Sequence, residues 1–157
     1  MTEEKNKNEN LVSMTNQLVA TIHTLHVKLH QYHWYVKGPN FFALHEKFEE
    51  LYNDNEKWFD AIAERLLASG NQPLSTTKDF LEHTVLNEET SDKELPAEKM
   101  TENLIKDYQT TKKLTLDAIK GAQEAEDVVL EDLLIGYTEH LDLAVWMLQA
   151  FLGNEAK

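Results

Sequence analysis

Metal-binding side chains recur along one face of a single stretch of the chain. His45 and Glu49 are four residues apart, and Asp60 and Glu64 repeat that spacing further on. At about 100° per residue of helix, these four side chains fall within a sector roughly 100° wide, beside the apolar face. Imidazole and carboxylate ligands without thiolate suit Fe(II), Mn(II) or Zn(II) better than Cu(I). The stretch therefore carries two pairs of ligands, and each pair can contact one ion.

The two pairs are too far apart to share an ion within one chain. At about 1.5 Å of rise per residue, Glu49 and Asp60 lie roughly 16 Å apart along a helix. A ligand atom lies about 2.0–2.2 Å from its metal. We therefore treat the two pairs as separate half-sites.

A second copy of the chain can complete both half-sites. His33 lies shortly before the Gly-Pro turn at positions 38–39 and His45 shortly after it, so an antiparallel hairpin places both at the same depth. The facing part of the first helix offers no ligand to Asp60 and Glu64. A two-fold axis near the middle of the second helix would bring these carboxylates against the histidines of another copy, and isologous dimers are the commonest symmetric assembly. We expect two identical metal sites at a dimer interface.

Each feature taken alone has a less specific explanation. An Asp-x-x-x-Glu pair usually belongs to a solvated helix face. Histidines at 23, 26, 30 and 33 form a stripe that is either an interface or chance, and only His33 is predicted to be a ligand, with His30 behind it. The run at 45–49 lacks the second histidine of the zinc peptidase motif. The chain also lacks Glu-x-x-His, which a di-iron centre inside a single bundle uses twice.

Long helices are needed to position these ligands. Glycine and proline clusters divide the chain into stretches with helical apolar periodicity, which predict helices at about 8–36, 41–69, 97–122 and 127–152. A short helix is expected at 74–83, in the long connection between helices two and three. The other connections are short, which makes consecutive helices antiparallel neighbours. The predicted fold is all-α, a ferritin-like four-helix bundle with a short extra helix in that connection.

Composition limits the classes of function. The 157 residues predict a single domain over 1–157, with residues 1–8 as a flexible N-terminal arm. The absence of cysteine excludes disulfides and thiolate metal sites. No apolar run approaches the roughly 18 residues of a membrane span, and no signal-type stretch follows the N-terminus, so we expect no membrane partner and a cytoplasmic location. The net charge of −13 disfavours a nucleic-acid surface and favours cation handling.

Three runs of residues carry a resemblance to a known family. HWYVKGPNFFALHE at 33–46 and DAIAERL at 60–66 are similar to the DNA-protection-during-starvation proteins (Dps, or miniferritins). The likeness extends to WMLQAFLG at 146–153, so it covers nearly the whole chain. It looks closest to the Listeria- and Bacillus-like branch of that family.

The resemblance implies an iron-storing ferroxidase in a hollow homododecamer. By register, His33 and His45 of one subunit and Asp60 and Glu64 of its two-fold mate are the implied catalytic ligands. Glu49 helps to hold the second of two irons per inter-subunit site, and zinc is an implied substitute. The implied enzyme oxidises Fe(II), preferring hydrogen peroxide to dioxygen, stores the ferric mineral and protects against oxidative damage.

Two further features follow from the resemblance. Trp34 matches a tryptophan that lies next to the ferroxidase site and intercepts radicals. Family members admit iron through acidic pores at three-fold axes, for which the candidate residues here are Glu124, Asp127, Glu131 and Asp132.

Two alternative functions remain open at this stage. The first is a DNA-compacting nucleoid protein with little enzymatic role, and the second is a catalytically silent shell that serves as an adhesin, activator or antigen. Relatives that bind DNA directly often use a lysine-rich arm, but here Lys5 and Lys7 stand among three glutamates. Phosphate neutralisation needs several cations, so we expect no direct DNA binding.

Overall fold

The computed structural model describes residues 2–157, which contain helices and no strand. In chain order the helices are α1 (Thr2–Tyr35), α2 (Phe41–Ala68), α3 (Thr77–His83), a short 3-10 helix (Thr90–Glu94), α4 (Ala97–Glu124) and α5 (Val128–Phe151). Four long helices with a short one between α2 and α4 confirm the all-α prediction.

Two helical hairpins build the bundle. Helix α1 packs against α2 and α4, α4 packs against α5, and contacts between α2 and α5 close the ring. The long connection lets α3 lie against α1 on the outside of this ring. Fully buried side chains from all four long helices fill the centre, including Leu18, Phe48, Tyr108 and Tyr137. The α1–α2 hairpin carries every ligand predicted from the sequence.

Local backbone chemistry sets the helix ends that frame this hairpin. Gly38 has φ of +109° in the turn after α1, a left-handed conformation that side chains with a Cβ disfavour. Gly70 has φ of +84° just beyond α2. Asp127 caps α5, since its carboxylate accepts a hydrogen bond of 3.0 Å from the backbone N–H of Leu130. The bounds of α2, α4 and α5 agree with the prediction to within two residues.

The first helix begins earlier than the sequence suggested. It starts at Thr2 rather than near residue 8. Acidic residues in its first turn interact favourably with the positive end of the helix dipole. Lys7 lies 3.6 Å from Glu3, and Lys5 lies 3.8 Å from Glu9, each pair one turn apart. The flexibility expected of the 1–8 arm stays a prediction, and Met1 lies outside the described residues.

The connection between α2 and α4 also differs in detail. Helix α3 begins at Thr77 rather than 74, because the Thr76 hydroxyl caps it by accepting a hydrogen bond of 3.2 Å from the Asp79 N–H. The 3-10 helix at Thr90–Glu94 was not predicted. It is tied to the bundle by Asp92, which accepts a hydrogen bond of 2.9 Å from the buried Tyr32 hydroxyl. None of the helices within residues 2–157 is both long and apolar enough to cross a membrane.

Candidate metal centre

The structure brings His33 and His45 into direct contact. Their rings stack with centroids 3.7 Å apart and planes inclined by 12°. The Nδ1 of each ring lies 2.7 Å from the backbone carbonyl oxygen of the other residue. Because a carbonyl can only accept a hydrogen bond, each Nδ1 carries the proton and donates it. In the neutral form of each ring, Nε2 then carries the lone pair, which is the state in which imidazole binds a metal.

The surroundings hold this histidine pair in place. His33 is buried with 8% of its surface exposed, and Val36, the first residue after α1, is also buried. Phe41 stacks on the outer face of His45 at a centroid distance of 4.9 Å. The short turn between α1 and α2 thus holds both rings in place, so the pair would present preorganised nitrogen donors to a metal.

Glu49 lies one helical turn beyond His45 and is held by Tyr52. The Tyr52 hydroxyl donates a hydrogen bond of 3.4 Å to Glu49 Oε1, and its ring meets His33 edge-on at 5.3 Å. Partial burial and the nearby Glu49 charge raise the pKa of Tyr52, so the hydroxyl stays protonated as a donor. Sequence reasoning missed this residue. Its signal was the spacing of three from Glu49 and seven from His45, which puts it on the same helix face.

Asp60 and Glu64 lie apart from the histidine pair. Both are exposed, and neither forms an ion pair or side-chain hydrogen bond within residues 2–157. Asp60 is roughly 22 Å from His45 along α2 at the rise of a helix. The neighbouring Arg65 does not neutralise them, because it pairs with Asp127 at 2.8 Å. These two carboxylates therefore remain free acceptors on the surface of one chain.

One chain alone assembles no complete site. Across residues 2–157, no three His, Asp or Glu side chains are grouped so that they can hold a metal ion. The structure brings His33 and His45 together, places Glu49 one turn away, and leaves Asp60 and Glu64 at the other end of α2.

The other residues singled out from the sequence have varied surroundings. His30 stacks on Tyr52 at 3.9 Å, so Tyr52 stands between it and His33. Burial, and then the neighbouring His26, lower the pKa of His30. Trp34 is 67% exposed and lies 5.1 Å from His30. His140 is half-buried, and this burial lowers its pKa, while its buried Nε2 has no partner among the described residues.

Two of the four acidic pore candidates are already engaged within the chain. Asp127 caps α5 and pairs with Arg65, so it has a structural role. Glu131 accepts a hydrogen bond of 2.8 Å from the Gln123 side chain. Glu124 and Asp132 are exposed.

Comparison with known proteins identifies the class of protein to which the chain belongs. The family model of the ferritin-like domain matches residues 12–157. DNA protection during starvation protein 2 of Bacillus anthracis is 42% identical over 147 residues, which cover 94% of this chain and 99% of the relative. Dps from Staphylococcus aureus superimposes with a TM-score of 0.87 at 42% identity, over 92% of this chain and 95% of that one. Dps from Listeria innocua soaked with zinc superimposes with a TM-score of 0.88 at 35% identity, over 93% of this chain and 98% of that one.

The chain therefore belongs to the Dps family of ferritin-like proteins. This confirms the resemblance drawn from the sequence motifs and the predicted fold. Membership supports a role in iron storage and in protection during starvation, within an oligomeric assembly.

Proposed function

We propose that this protein is a ferroxidase that oxidises Fe(II) at sites shared between subunits and stores the ferric product inside a homododecamer. The observation that carries the proposal is the reciprocal hydrogen bonding of His33 and His45, which leaves two fixed Nε2 donors side by side. The free carboxylates of Asp60 and Glu64 on the same helix supply the complementary half.

Each proposed site combines residues of two chains. His33 and His45 come from one subunit, and Asp60 and Glu64 come from its two-fold mate. Glu49, oriented by the Tyr52 hydroxyl, helps to bind the second of two irons. Zn(II) fits the same imidazole and carboxylate donors but has no redox chemistry, so we expect it to compete with iron and inhibit.

The chemistry follows from the donors and from the stoichiometry. Two Fe(II) ions, one hydrogen peroxide and two protons give two Fe(III) ions and two waters. Both electrons leave together, so no hydroxyl radical is released. Carboxylate oxygens are hard ligands that stabilise the ferric product, and neutral imidazoles hold Fe(II) without adding charge. Dioxygen is the slower oxidant in this proposal.

The stoichiometry provides the test. The assembled protein is loaded anaerobically with Fe(II) and titrated with hydrogen peroxide while ferric absorbance is followed. The proposal predicts two irons oxidised per peroxide, with no hydroxyl radical caught by a spin trap. A ratio of one iron per peroxide with trapped radical would contradict it.

DNA compaction is the alternative, and the charge of the chain disfavours it. A shell of subunits at −13 each repels phosphate, and the two lysines nearest the N-terminus lie within reach of glutamates. A gel shift at low salt without divalent metal should show no retarded complex. The absence of direct DNA binding and a cytoplasmic location both stay predictions.

A further inference from the structure

Two large apolar side chains lie exposed at opposite ends of the ligand-bearing face of α2. Phe42 is 77% exposed in the first turn of the helix, and Leu67 is 61% exposed in the last. At about 100° per residue, both lie within about 20° of Glu49 and Asp60 around the helix axis. These apolar residues and the proposed ligands therefore share one stripe along α2, which we call the α2 stripe.

Each apolar residue adjoins one half of the proposed iron site. The Phe42 ring packs on the Phe41 ring with centroids 5.3 Å apart, and Phe41 stacks on His45 at 4.9 Å. Aromatic contacts thus connect Phe42 to the histidine half. Leu67 lies three residues after Glu64, about one helical turn beyond the carboxylate half. Each half of the site therefore ends in an exposed apolar side chain.

The α2 stripe is symmetric about its own centre. Positions 42 and 67, 45 and 64, and 49 and 60 share one midpoint, between residues 54 and 55. A two-fold axis at this point sets the α2 helices of two chains antiparallel, so that the two positions of each pair face each other. The axis that brings His45 to Glu64 of the partner subunit therefore also brings Phe42 to Leu67 of the partner subunit.

The chemistry of the facing residues favours this register. Glu49 and Asp60 of the partner subunit are both carboxylates, so they repel each other unless a cation lies between them. The apolar pair carries no charge, and its burial is favourable with or without a cation. A shift of three residues would instead place Phe42 opposite Glu64 of the partner subunit and would separate the ligand pairs. The apolar ends and the ligands thus select the same alignment.

We propose that Phe42 of each chain packs on Leu67 of the partner subunit, and that these two contacts fix the dimer register on which the shared iron site depends. The inference rests on the proposed function for the site itself, but the contact needs no iron. The two contacts lie roughly 37 Å apart along α2, one at the end of each site that is farther from the axis. Each contact excludes water from that end of its site.

Chemical cross-linking tests the contact, since the natural chain has no cysteine. The assembled Phe42→Cys/Leu67→Cys variant is freed of metal with a chelator and treated with a short bismaleimide, which joins two nearby thiols. On a denaturing gel it should run mainly as a covalent dimer. The two thiols of one chain are roughly 37 Å apart, so the reagent cannot join them within a chain.

Phe42→Cys alone and Leu67→Cys alone are the matched controls. Across the two-fold axis each cysteine lies roughly 37 Å from its own copy, so both variants should run as monomers on the denaturing gel. A double variant of normal assembled size that also runs as a monomer would overturn the proposal. Equal cross-linking of a single variant and the double variant would overturn it too, because the residue would then meet its own copy.

Ferroxidase assays of the natural chain separate this proposal from the proposed function. Covalent dimers of the double variant, with no iron oxidation by the natural chain, would support the contact and refute the ferroxidase. Iron oxidation by the natural chain, with no covalent dimer of the double variant, would refute the contact alone.

Discussion

The two halves of the proposed iron site are built in opposite ways. In the histidine half, His33 is buried and His45 is half-buried, and the two rings are stacked and fixed by reciprocal hydrogen bonds. The carboxylate half, Asp60 and Glu64, is exposed and has no partner within residues 2–157. In the proposed site the first half would supply preorganised imidazole nitrogens, and the second would supply charged carboxylates that stay hydrated until a partner subunit and a metal cover them. Our proposal therefore requires that assembly, rather than folding of one chain, completes the site.

Losing either half of the site should cause the largest effect on the ferroxidase rate. The effect should be of the same size for both halves. Asp60→Asn and His33→Asn should each slow the fast ferroxidase phase by more than about 100-fold, because even outer-shell changes at metal sites cost 10–100-fold. Stopped-flow absorbance after peroxide addition to the Fe(II)-loaded protein measures this. A variant of one half that keeps its rate would break the comparison and remove that residue from the site.

The two halves of the site should differ in their contribution to stability, although they contribute equally to activity. His33→Asn removes a buried ring and disturbs two hydrogen bonds, so the free energy of unfolding should fall by about 1–3 kcal/mol. Asp60→Asn changes an exposed, unpaired side chain and should stay within about 0.5 kcal/mol. Denaturant unfolding of the two variants, side by side, checks the difference. Equal losses would mean that Asp60 has a structural partner and that the contrast is wrong.

A smaller effect should distinguish neighbouring carboxylates on α2. Glu49→Gln should weaken the second iron and slow the fast phase about tenfold, at the low end of ligand effects. Glu50→Gln is the matched control, since Glu50 is also exposed but lies about 140° around the helix from His45, outside the ligand sector, and its rate should change less than about twofold. The number of Fe(II) ions bound anaerobically, measured in both variants, sharpens the assignment. Equal rates would remove Glu49 from the site.

Much of this arrangement could be predicted from the sequence because it depends on spacing. The helical period gave α2, α4 and α5 to within two residues. Matching depths across the Gly38 turn predicted that His33 and His45 meet, and their rings stack. The motifs identified the family, which the comparisons confirm. The ligand roles of the five residues stay predictions.

The features that could not be predicted from the sequence depend on side-chain conformation and on weak local interactions. The reciprocal Nδ1 hydrogen bonds require particular rotamers of His33 and His45, which spacing does not determine. Tyr52 acts through one hydroxyl contact at 3.4 Å that no motif encodes. The early start of α1 results from small charge effects at an exposed helix end, and the 3-10 helix depends on a tertiary hydrogen bond from Tyr32.

Subunit complementation tests the central claim most directly. One preparation carries His33→Asn/His45→Asn and the other Asp60→Asn/Glu64→Gln; each alone should be inactive. In an isologous dimer that pairs the two kinds of chain, one of the two shared sites is intact. The two preparations are dissociated, mixed in equal amounts and reassembled. Half of the dimers should then be mixed, and each mixed dimer has one intact site of two, so about a quarter of the natural ferroxidase rate should return. Mixed shells of normal size with no recovered activity would contradict a site shared between subunits.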